Sequence, residues 1–260
     1  MSYLERYNWR IKVDGTNLGE ALRNNTHYMK NKKFTDATTY RKAKWYLGKG
    51  TEGETSGDID IRVVEIDRMG SIRNILFKLG EGVRLGTILE FDNDLWLTYD
   101  TYGSLRDDIK MRVSKINDEL VWKDRAGKVH KVPSISTISA LGSSANSNDG
   151  KYLENAYNVH MPEGKILVFV ELTEETKTIE LKQRFIIGSK VYNVVYTDDV
   201  TMIDKDYHGV LKLILEVDLK YNNKDDFVNS IAYNESFELD QSSAENGDKE
   251  DNGGDNTWGW

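Results

Sequence analysis

From Asp58 onward the chain keeps repeating one pattern: a short run of β-branched and aromatic residues, a brief polar turn, then another such run. The clearest case is Thr87-Ile88-Leu89-Glu90-Phe91, then Asp92-Asn93-Asp94, then Leu95-Trp96-Leu97-Thr98-Tyr99. Runs this short, bounded by turn formers, read as β-hairpins and not as helices. Others follow at Glu119–Lys123 with Lys128–Val132 about Asp124-Arg125-Ala126-Gly127, and at Arg184–Ile187 with Lys190–Tyr196 about Gly188-Ser189. Ile59, Ile61 and Val63 alternate with charged residues in strand fashion, and Ile72–Leu79 returns after a turn at Arg68–Ser71. Pro133, lacking an N–H, ends or edges its strand. Lys165–Val170 is apolar on both faces, which predicts a central strand, and Gly209–Val217 forms another strong one. The expected fold class is mainly β, with one or two small β-barrel or sandwich units.

The two ends differ. Tyr7–Val13 alternates up to an Asp14-Gly15 turn, and Thr16 or Asn17 can then cap a short helix carrying Leu18, Ala21 and Leu22 on one face. Asn24–His27 weakens that helix, Lys30–Lys33 is basic, and Gly48, Gly50, Gly53 and Gly57 punctuate a polar stretch. Residues 1–57 therefore read as an N-terminal arm, 58–145 as a first β unit, 146–234 as a second, and 235–260 as an acidic tail. Small polar residues at 139–151 suit a linker or mobile loop. At a constant offset, Leu85, Leu89, Phe91 and Trp96 match Leu181, Phe185, Ile187 and Tyr192. Either one pattern is used twice, giving two small β units joined near residue 145, or any two half-buried hairpins look this similar.

Charge and chemistry narrow the function. The net charge is −8, and from Glu235 onward eight acids face one base, Lys249. The tail so described is expected to be disordered, because it has almost no aliphatic residues to bury. The remainder is nearly neutral, with no general basic excess to neutralise phosphates. There is no cysteine, which removes disulfides and thiol nucleophiles. The four histidines, His27, His130, His160 and His208, form no local ligand motif. Acid pairs at Asp58/Asp60, Asp107/Asp108, Asp198/Asp199 and Asp225/Asp226 mostly adjoin turns, where aspartate serves the backbone. No signal-type leader and no run of about 18 apolar residues occurs, so a soluble product of a cytoplasm is expected, with no membrane partner. No catalytic, cofactor or metal site is expected, and the chain reads as a non-enzyme.

Several of these segments, taken in order, resemble a known group. They are Asn8–Gly15, Leu95-Trp96-Leu97, Leu120–Lys123 with Gly127–Pro133, Leu181–Gly188, Leu211–Asp218 and Lys224–Ala232. Together they look like virion proteins of tailed bacteriophages that infect Gram-positive hosts. The resemblance implies a place in the neck, between head and tail, as a head-closure (stopper) or connector protein. It implies small β-barrels assembling into rings of about six or twelve copies. The partners would be other neck, portal and tail proteins, and DNA would pass through the channel without a strong site on this chain. The acidic segment containing Trp258 and Trp260 is not a feature of that group.

Candidate partner contacts are Trp9 and Trp45 in the arm and Trp258 and Trp260 in the tail, since tryptophan is a favoured interface anchor. Trp96 and Trp122 are expected in the core. An alternative is a carbohydrate- or receptor-binding module of a phage tail or cell surface, with Trp96, Trp122 or Trp45 on an exposed platform.

Overall fold

A computed structural model describes residues 3, 6–7, 17–66, 70–78, 81–102, 110–137, 164–220, 222–235 and 237. Helix α1 spans Leu18–Lys32. Six strands follow: β1 (Tyr40–Leu47), β2 (Thr55–Ile66), β3 (Ile72–Phe77), β4 (Ile88–Phe91), β5 (Asp94–Tyr102) and β6 (Lys110–Lys115). Six more follow among the described residues: β7 (Asp118–Lys123), β8 (Val129–Thr137), β9 (Lys165–Glu171), β10 (Arg184–Ile187), β11 (Lys190–Asp198) and β12 (Val210–Val217). The fold is mainly β, as the alternation predicts. No helix among the described residues is long and apolar enough to cross a membrane.

Strands β1–β6 form a closed barrel in the order β1-β2-β3-β6-β5-β4, and every pairing is antiparallel. Strands β7–β12 form a six-stranded sheet in the order β7-β8-β9-β12-β11-β10. That is the same topology used twice. The matched hairpins superimpose in register, with Leu89 opposite Trp96 and Phe185 opposite Tyr192. Even the bulges correspond: β5 slips between Thr98 and Asp100, and β11 slips between Val194 and Tyr196. The second sheet curls until β10 lies beside β7, where Phe185 meets Trp122 edge to face at 6.2 Å between ring centroids.

Strand alternation divides each barrel's residues between inside and outside. Ile59, Ile61, Val63, Ile75, Phe77, Leu89, Phe91, Trp96, Met111 and Val113 fill the first barrel. Leu120, Trp122, Val132, Val168, Val170, Phe185, Leu211, Leu213 and Leu215 fill the second. The turn between β4 and β5 puts both Asp92 (φ 53°) and Asn93 (φ 64°) in the left-handed region, the requirement of a tight hairpin. The Asp92 carboxylate then takes hydrogen bonds from Arg41 Nε (3.0 Å) on β1 and Arg73 Nη1 (2.7 Å) on β3. Burial works to raise its pKa, but these two guanidinium groups outweigh burial and hold it below the usual aspartate value. Arg73 also lies over the Trp96 ring at 4.3 Å, so the ion pairs at Asp92 sit against the barrel's aromatic filling.

Two expected boundaries are corrected. The arm does not extend to residue 57: β1 and the start of β2 belong to the first barrel. Ala43 and Gly57 face its interior side and carry almost no apolar signal. The missing side chain at Gly57 makes room for the Trp45 indole, which an added Cβ would meet at 2.9–3.1 Å. The change of unit falls at Ile116–Asn117 and not near residue 145. Strand β8 pairs with β9, which carries the whole 118–137 hairpin into the second sheet. Helix α1 is also longer than expected. Its Asn17 side chain caps the Glu20 N–H at 2.9 Å, and Thr26 bonds back to the Leu22 carbonyl, so the polar stretch at 24–27 is carried. The 139–151 loop and the 238–260 part of the tail lie outside the described residues.

Trp96 is fully buried and stacks on Phe91 at 5.2 Å. Trp96→Ala is expected to cost roughly 3–5 kcal/mol of stability in urea denaturation. A change under ~0.5 kcal/mol would place the indole at the surface instead.

Candidate interaction surface

Of the acid pairs singled out in the sequence, Asp107/Asp108 lies outside the described residues, and members of the other three serve turns and ladders. Asp60 accepts from Tyr40 Oη at 2.9 Å. Asp198 accepts from the Val200 and Thr201 N–H groups and from Thr201 Oγ1. Asp226 accepts from the Val228 and Asn229 N–H groups. Asp225 is held by Arg184 in a two-pronged contact of 2.8 and 2.9 Å, while the same guanidinium reaches Asp218 at 2.8 Å. That knot ties the segment 218–234 across β10, where Ala232 covers Ile186 and Val191. Among the described residues no group of three or more His, Asp or Glu side chains is placed to hold a metal ion. His130 instead stacks on Trp122 and bonds Asp124 at 2.8 Å.

Of the predicted partner contacts, Trp45 is half-buried, seated over Gly57 against the first barrel's core. Trp9, Trp258 and Trp260 lie outside the described residues. Trp96 and Trp122 are 0% and 1% exposed, so neither can form a platform for a sugar.

The barrels meet through faces that the interiors leave over. Tyr46, Ile88, Leu97 and Tyr99 point outward from β1, β4 and β5, and they pack on Ile135, Leu167, Phe169 and Val210 from β8, β9 and β12. Main chain closes on main chain at two points beside this core. A Cβ added at Gly86 (φ 83°) would lie 2.0 Å from the Gly209 oxygen, and one at Gly50 (φ 85°) would lie 2.4 Å from the Lys131 oxygen. Only glycine allows such approaches. Lys128 pairs with Glu52 and Arg84 contacts His208 across the same seam.

The seam contains one acid that the sequence reading missed. Glu171 ends β9 on its outward face and is 5% exposed. Its Oε1 accepts the Gly48 N–H at 2.7 Å, from the β1–β2 turn, while Oε2 has no hydrogen-bond partner among the described residues. Burial lifts its pKa from 4.5 to about 7, against the lowering effect of the Gly48 and Lys49 N–H groups and with help from Glu54 and Glu175. The available signal was an acid directly following a strand apolar on both faces.

On the far side of the first barrel an open groove lies between the end of α1 and strands β2 and β3. Its volume is about 490 Å³. Met29, Phe34, Leu76 and Phe77 supply apolar walls, and Lys30, Lys33 and Arg62 supply charge. Arg62 bonds Thr39 Oγ1 at 3.3 Å and covers the Phe34 ring at 5.7 Å. Helix α1 itself leaves Leu22, Tyr28 and Met29 exposed. A second, smaller hollow of about 330 Å³ is lined by Lys123, Asp124, Lys224, Asp226, Tyr233 and Phe237, but hydrogen bonds already hold both of its carboxylates.

Two measurements test the seam. Because the folded state holds the Glu171 proton to a higher pH than the unfolded chain, its stability contribution is full below about pH 4.5 and is lost as pH rises through about 7. Stability is expected to fall by about 2–3 kcal/mol between about pH 5 and pH 8, and Glu171→Gln should flatten that dependence. Gly86→Ala, whose Cβ would lie 2.0 Å from the Gly209 oxygen across the seam, is expected to destabilise by about 1–3 kcal/mol. Gly53→Ala, with nothing within 4 Å, should change stability by less than ~0.5 kcal/mol in the same denaturation series.

Residues 109–216 match the family of the YomX C-terminal domain, so the similarity spans β6 and nearly all of the second barrel. No curated protein and no solved structure matches the chain significantly. The matched family is phage-associated, and the match covers less than half of the chain.

Proposed function

We propose that the chain is a structural protein of a phage virion, acting at the head–tail interface as a head-closure or connector ring subunit. The observation that carries this reading is the seam. Both barrels use an outer face to bury the other, and glycine contacts lock main chain to main chain. A body so built resists bending, which suits a part that transmits load between neighbours and does not need to open and close on a substrate. Helix α1, with its exposed apolar residues, supplies a projecting element for a neighbouring subunit. The phage-associated match over the second barrel supports the setting. Burial of Trp96 and Trp122 weighs against the carbohydrate-binding alternative.

In this reading the partners are neck, portal and tail proteins, and the protein resides in the virion neck after synthesis in the host cytoplasm. No catalytic step is assigned to it. Assembly would wait for a template, since a ring contact that orders segments on binding loses part of its gross energy to that ordering.

The test is composition and position. Particles of the encoding phage, purified and quantified by mass spectrometry, should contain roughly six or twelve copies each, with density at the neck in electron micrographs. In isolation the protein should sediment as a monomer or weak oligomer. Absence from purified particles, or stable rings formed without any partner, would overturn the assignment.

A further inference from the structure

The groove beside α1 presents apolar walls and three cations, and none of its lining residues is an acid. Its occupant should therefore combine a large apolar anchor with negative charge. One stretch of this chain has that chemistry. Residues 238–260 carry seven carboxylates against one lysine, and their aromatic residues are Trp258 and Trp260. Tryptophan in a desolvated pocket with charges at the rim is the usual form of a strong peptide anchor.

The positions of the two features point to a neighbouring copy as the source of the segment. The groove is walled by β2 and β3, while β1, β4 and β5 of the same barrel face the second barrel. The groove thus opens away from the seam. Phe237, the last described residue, lies at the second barrel, 5.7 Å from the Arg125 guanidinium on the β7–β8 turn. The root of the segment is thus on the second barrel, and the groove is on the wall of the first that faces away from the seam. The roughly 20 residues from Phe237 to Trp258 span at most ~70 Å when extended, enough to cross onto a neighbour.

We propose that the groove between α1 and the first barrel is the seat of the acidic, tryptophan-bearing 238–260 segment of a second copy of this chain. Such a contact is head to tail. It uses two different surfaces, and repetition either closes a ring or runs on as a filament. Lys33 and Arg62 meet the carboxylates, and an indole enters among Met29, Phe34 and Leu76. The contact can be tested without a virion, so its failure and that of the position proposed above are distinguishable.

The experiment places a photoreactive benzophenone amino acid at position 258 of the full-length chain. Equal amounts of ¹⁴N- and ¹⁵N-labelled protein are mixed at high concentration, irradiated and mapped by mass spectrometry. Cross-links should join light to heavy chains at Met29, Phe34 or Leu76. Their yield should drop at least about tenfold in Lys33→Glu, alone or with Arg62→Glu, because like charges then face each other. Far-ultraviolet circular dichroism and melting temperature confirm that Lys33→Glu, at an exposed site, stays folded. Cross-links confined to a single copy, cross-links at other surfaces, no cross-links, or an unchanged yield in folded Lys33→Glu would each overturn the proposal.

Discussion

The structure depends on strands that are apolar on both faces. In a small barrel one face of every strand is committed to filling the interior. Strand β5 commits Trp96 inward and still has Leu97 and Tyr99 pointing out, and β9 commits Val168 and Val170 inward with Leu167 and Phe169 outside. Those outward residues would be an exposed hydrophobic patch on a lone barrel. Docked together they become a third core, and the two barrels become one body. Each large buried side chain in that layer contributes on the order of 1.5–3 kcal/mol relative to exposure, far more than the surface ion pairs along its edge.

The repeated topology explains why the seam has its shape. Both units carry the order first-second-third-sixth-fifth-fourth, with a bulge at the same place in the fifth strand. The copies are used differently. In the first, Tyr99 at the bulge is buried in the seam, whereas the corresponding Val195 of the second is exposed. In the first the ring of strands closes through β1 and β4. In the second, side chains about Trp122 and Phe185 fill the place of that pairing. Glu171 sits where the two copies touch, a polar group in an apolar layer, and main-chain N–H groups from a turn of the other barrel satisfy one of its oxygens.

Much of this was legible beforehand. The hairpins at 87–99, 119–132 and 184–196, the central character of Lys165–Val170 and the burial of Trp96 and Trp122 all follow from alternation and turn chemistry. Strand β1 was not legible, because its inward residues include Ala43, and the residue across the ladder from its Trp45 is Gly57: the packing there is a small residue making room for a large one, which has no apolar signature. The groove at α1 was equally hidden, since it joins residues near 30, 62 and 76. Among the predicted contacts only Trp45 falls in the described residues, half-buried over Gly57.

The amino-acid order by itself determined the class of fold, the places where the chain turns and the side chains that fill each barrel, because these depend on neighbours one, two or a few residues apart. Which hairpin joins which sheet, where one unit gives way to the next, and the burial of Glu171 against Gly48 were decided only in three dimensions. Those features arise from contacts between segments that lie from about 30 to more than a hundred residues apart, where the cost of closing the intervening chain is met by many contacts at once. No local pattern encodes such a sum.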